Sequence, residues 1–97
     1  MHARVVFNVT RPEKIDQVYS IMSGPAGLAA MQQKGCKGLL TLGDRKTRKG
    51  IAITLWETEA DMMASETGPY WETALAMAKE FITGPQTIEH YEVMAQA

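Results

Sequence analysis

The sequence predicts an α+β fold, a ferredoxin-like β-α-β-β-α-β plait with a four-stranded antiparallel sheet and its helices on one face. Three observations predict it. Four segments carry β-branched and aromatic residues in strand patterns, two regions repeat apolar residues at helical spacing, and Gly- or Pro-bearing breaks separate them in that order. The 97 residues make one domain, spanning 1–97, with no room for a separate cofactor domain.

Residues 3–9 form the first strand, with Val5, Phe7 and Val9 on one side and Arg4, Val6 and Asn8 on the other. Thr10 to Glu13 has the spacing of a capping box with Pro12 in the first turn, and Ile15, Val18, Tyr19 and Met22 then give a helical apolar stripe. Gly24 and Pro25 break it, Gly24 as a left-handed cap. A short second piece runs to Lys34 with Leu28 and Met31 inward. Gly35 ends it, and residues 36–43 make the second strand with Leu39, Leu40 and Leu42. Residues 44–50 are polar, end in Gly50 and read as a hairpin loop. The third strand sets Ile51, Ile53 and Leu55 against Ala52, Thr54 and Trp56. Thr58 and Asp61 open a short helical segment bearing Met62 and Met63. After Thr67 to Pro69, a longer helix carries Trp71, Ala74, Leu75, Ala78 and Ile82 on one face, with Tyr70, Met77 and Phe81 beside them. Gly84 and Pro85 stop it, and residues 87–94 make the last strand.

Two helices cover one face of a four-stranded sheet, and a monomer would keep the other face polar. Here both sides of the first and third strands carry large apolar groups. Burying each such side chain is worth about 1.5–3 kcal/mol, so the pattern predicts a homodimer, two sheets packed face to face about a two-fold axis. The alternative is that loops cover the second face.

Composition excludes several functions. The chain is 45% hydrophobic and 22% charged with a formal net charge of −1, which fits a folded globular protein and gives no field for nucleic acid or an anionic membrane. Cys36 is the only cysteine, the amino-terminal residues carry no apolar run of signal-peptide or membrane-span length, and a cytoplasmic location is the expectation. No His, Cys or carboxylate cluster has metal-ligand spacing, so a metal is not expected.

Residues 35–45 (GCKGLLTLGDR), 50–61 (GIAITLWETEAD) and 89–93 (EHYEV) resemble the antibiotic biosynthesis monooxygenase-like (ABM) proteins of the dimeric α/β-barrel superfamily. The resemblance implies a homodimer whose sheets form a barrel, with a ligand cavity in each subunit between sheet and helices. It also implies cofactor-free oxidation of a small aromatic or phenolic substrate, with a non-catalytic ligand-binding or structural dimer as the alternative. Haem-degrading relatives have an Asn on the first strand, then a Trp and a His in the second helical region. Asn8 fits, but the Trp position falls near Ala64 and no His lies between Lys34 and Glu89, which disfavours haem chemistry.

Two residues are candidate catalytic groups. Asn8 would orient a substrate carbonyl or phenol through its amide, or else be satisfied by backbone near a strand end. His90, the one internal residue titrating near neutral pH, would serve as a base for a phenol, or be a structural strand His. Trp56, Tyr70 and Trp71 are candidate substrate-binding residues. For Trp56 the spacing favours a core indole with its N–H paired over stacking on a ligand, and helical spacing likewise favours packing for Trp71. Arg45, Lys46, Arg48 and Lys49 crowd one hairpin tip, as a solvated turn or as an attractor of anions. The methionines are core fillers that also suit an adaptable pocket.

Overall fold

The computed structural model describes residues 1–97. Strand β1 is His2–Val9, a 3-10 turn follows at Pro12–Lys14, α1 is Ile15–Met22 and α2 is Pro25–Met31. Strands β2 (Cys36–Gly43) and β3 (Lys49–Trp56) form the central hairpin, followed by α3 (Glu59–Ala64), α4 (Pro69–Phe81) and β4 (Thr87–Glu92). The sheet order is β2-β3-β1-β4, all antiparallel, as in a ferredoxin-like plait. In register, Arg4 lies opposite Thr54 and His90, Val6 opposite Ala52 and Ile88, and Asn8 opposite Gly50. That face turns toward α1, α2 and α4, whose side chains close over it.

The local grammar explains most boundaries. Thr58 caps α3 by accepting the Asp61 N–H at 3.1 Å. Gly35 takes a φ of +79° at the turn into β2, where a side chain would be strained and would strike Asp61.

Four expectations are corrected. The capping box at Thr10 does not form: the first helical turn has no side-chain cap, and Thr10 instead extends the sheet, pairing with Ile82 while its N–H donates to the Arg48 carbonyl. Gly24 is not left-handed but stands, at φ −130°, as the N-cap of α2. Leu28 and Met31 point outward, and the buried residue of α2 is Ala30. A seven-residue helix with Gly27 tight against the Met22 carbonyl and the Leu39 side chain puts its small residues inward, so bulk outweighs hydropathy there. The last strand ends at Glu92, and Met94 is almost fully exposed.

Only ten residues are buried, and the two most enclosed large side chains are Trp56 and Met62, which form one cluster with Cys36. The accessible surface is 6280 Å², against about 5500 Å² for a compact monomer of this mass. The excess has two sources. One is a cavity between sheet and helices. The other is the helix-free face of the sheet, where Val5, Phe7, Leu40, Leu42, Ile53 and Tyr91 make an uncovered apolar surface and Leu40 is 57% exposed.

Candidate ligand-binding site

The cavity has a volume of about 630 Å³ and a mainly apolar wall, within the range of small-molecule sites. Its floor is the Arg4, Val6, Asn8 row of β1 with Ala52 and Thr54 of β3 and Leu39 and Thr41 of β2; α1, α2 and α4 form the roof. Alternation places Arg4 and Asn8 on the same face, about 13 Å apart along the strand.

At one end stands Arg4. It is 4% exposed, and its guanidinium carbon lies 5.1 Å from the Trp56 ring centre and 4.8 Å from that of Trp71. Two indole faces holding a guanidinium make a favourable cation–π arrangement in a desolvated setting. Arg4 Nη1 donates to the Ser65 hydroxyl at 2.6 Å and to the Met62 carbonyl at 3.3 Å, and it lies 3.4 Å from Glu66 Oε2. Ser65 in turn donates to the Met62 carbonyl. Nε and Nη2 of Arg4 bond to nothing in the protein. Every fully buried polar side-chain atom has a partner, so these two donors keep some accessible surface on a side chain that lines the cavity.

Beside Arg4, Tyr70 and Trp71 begin α4 after Gly68 and Pro69. Burial pushes the Tyr70 phenol above its ordinary pKa, with Arg4 pulling it partly back. It therefore stays protonated and can donate a hydrogen bond. At the other end, none of the chain's side-chain hydrogen bonds involves Asn8. Its Oδ1 rests 2.7 Å from where a Cβ at Gly50 would be, so that glycine makes the space the amide occupies. Tyr19, Arg48 and Lys49 complete this end.

Of the five sequence candidates, the fold brings Asn8, Tyr70 and Trp71 into the cavity wall. Trp56 lies beneath it, 1% exposed, with its indole N–H donating to the Thr54 hydroxyl at 2.9 Å. His90 shares the sheet face with Arg4 but is not in the wall, and its Nε2 bonds the Glu66 carboxylate at 2.5 Å. His90 thus stands outside the cavity wall, engaged with Glu66. The residue that sequence reasoning passed over is Arg4. Its signal was there: a cation at an alternate position between Ala3 and Val5, on the strand side that also holds Val6 and Asn8. The hairpin cations divide, with Arg45 paired to Asp16 at 2.8 Å and stacked on Tyr19, and Arg48 and Lys49 in the wall. No three His, Cys, Asp or Glu side chains converge as a metal-holding group, and no helix is long and apolar enough to cross a membrane.

No protein-family model matches the sequence, and no curated protein is similar to it. Solved structures are. A structure from Deinococcus radiodurans described as a "putative antibiotic biosynthesis monooxygenase" superposes with a TM-score of 0.81 at 18% identity, covering 100% of this chain and 96% of the other. One from Bordetella bronchiseptica with the same description gives 0.82 at 14% identity, covering 97% of each. A Nitrosomonas europaea protein of unknown function gives 0.82 at 19%, covering 99% of this chain and 91% of that one. The fold is that of the antibiotic biosynthesis monooxygenase-like proteins. At these identities the likeness to ABM proteins is one of fold, which agrees with the strand order and helix placement seen here.

Proposed function

We propose that this chain is a cofactor-independent monooxygenase of small phenolic or quinol-like aromatics, held between sheet and helices. One observation carries the reading: an apolar cavity of about 630 Å³ whose unengaged polar groups include an amide, a neutral phenol and one edge of a guanidinium. Such a wall binds an electron-rich ring and orients its oxygen substituents. The ABM-like fold supports the reaction class.

In the reaction, an activated CH₂ group beside phenolic oxygen loses a proton, and the resulting anion passes one electron to O₂. The two radicals combine as a hydroperoxide, and loss of water leaves a carbonyl. Substrate CH₂ and O₂ become C=O and H₂O, so the substrate supplies all four electrons. Asn8 holds the substrate oxygen, Trp71 and Tyr70 fix the ring, and water takes the proton. The helix-free sheet face pairs with a second copy to form a dimeric α/β barrel, a reading supported by its uncovered apolar side chains.

Oxygen consumption with a panel of anthrone-like phenols, each bearing an activated CH₂ group, tests this. Uptake above buffer is expected, falling about 100-fold in Asn8→Ala, as loss of one donor to a developing oxyanion does. Absence of uptake with every compound leaves the second reading, a non-catalytic ligand-binding homodimer. The observation favouring that reading is the engagement of His90 with Glu66, which leaves the wall without an imidazole base.

A further inference from the structure

We infer that the cavity selects anionic aromatics, carboxylated phenols in particular, and that Arg4 receives the carboxylate. This rests on the reading of the cavity as an aromatic-binding site and adds the charge of the ligand.

Three features carry it. The first is the immobilised fork: Trp56, Trp71 and the Nη1 bonds to Ser65 and Met62 fix the guanidinium plane and leave the Nε and Nη2 edge unpartnered. That edge presents two parallel N–H groups at the spacing of a carboxylate's oxygens, and a pre-ordered fork loses little entropy on binding. The second is the charge around it. The charged wall residues are Arg4, Arg48, Lys49 and Asp44, and the Asp44 carboxylate is already turned to its own hairpin, accepting the Lys46 and Thr47 N–H groups. Glu66 offsets Arg4 from one side only, at 3.4 Å, and is shared with His90. The wall therefore has a cationic excess that an anion relieves. The third is position. Arg4 and Asn8 lie at opposite ends of one strand row, so a ligand with a carboxylate at Arg4 presents its phenolic end toward Asn8.

Calorimetric titration of the full chain with hydroxynaphthoate and with naphthol, the same ring system with and without the carboxylate, tests the inference. Wild type should bind hydroxynaphthoate about tenfold or more tighter, as one buried bidentate pair supplies. In Arg4→Gln and Arg4→Lys the preference should shrink to about threefold or less, because neither side chain offers the fork. Equal affinity of wild type for the two compounds overturns the inference and leaves the aromatic cavity standing. Binding of neither overturns both. A preference that survives in the Arg4 variants but disappears in Arg48→Gln assigns the anion to the hairpin end and overturns the role of Arg4. The wild-type comparison decides the question even where an Arg4 variant fails to fold.

Discussion

Asn8 faces Gly50 directly across the β1–β3 ladder, and its amide oxygen sits in the space that any side chain at position 50 would claim. Gly50→Ala should displace the amide without opening a void in the core. Where Asn8 positions substrate, kcat/KM for oxygen uptake in Gly50→Ala should fall about 10- to 100-fold, the scale of a misplacement of about 1 Å. Ligand-free stability should change by less than about 1 kcal/mol. Unchanged kinetics would remove Asn8 from the site.

Thr54 is the sole partner of the buried Trp56 indole N–H. Thr54→Val keeps the shape and strands that donor, which costs about 1–3 kcal/mol. Urea unfolding should show this as a lower midpoint at constant slope, and an unchanged midpoint would mean that the indole finds another acceptor.

Burial raises the Tyr70 phenol in the folded chain, so above the ordinary tyrosine range the folded state holds a proton that the unfolded state has released. Stability from this source is complete below about pH 10 and is lost as pH climbs through the folded-state value. Tyr70→Phe should flatten the alkaline fall in stability measured by urea titration. A fall of equal steepness in the variant would place its origin elsewhere.

His90 bonds the half-buried Glu66 carboxylate and does not line the cavity. His90→Gln should leave oxygen uptake within about twofold of wild type and alter stability by about 0–1 kcal/mol. A loss of several orders of magnitude would restore it as the base.

Leu40 lies on the helix-free face and is 57% exposed in the single chain, so Leu40→Glu should fold normally. If that face pairs with a second copy, wild type should sediment at twice the 10.7 kDa chain mass and Leu40→Glu at the chain mass itself. Wild type sedimenting as a single chain at micromolar concentration would refute the pairing.

The strands and the α4 helix were legible because their apolar period is long enough to read, and the capping Thr58 marked α3 in the sequence itself. The seven residues of α2 offer less than two helical repeats, so hydropathy alone put Leu28 and Met31 on the wrong side. That Asn8, Tyr70 and Trp71 line the cavity was legible because an amide on an apolar strand and aromatics opening a helix are local signals. Arg4 was not, since an arginine on a strand reads as solvent-facing until α3 and two indoles, all distant in sequence, enclose it. The division of Trp56 from Trp71, one beneath the cavity and one in its wall, is likewise set by packing between layers and not by spacing along the chain.

The chain's only thiol, Cys36, is enclosed in the same cluster as Trp56 and Met62. An alkylating reagent reaches it only when the β2–β3 hairpin and α3 separate, so the labelling rate clocks the opening of the layer that supports Arg4. Ligands that slow this clock act on the inner end of the cavity, and they can be ranked before any turnover is detected.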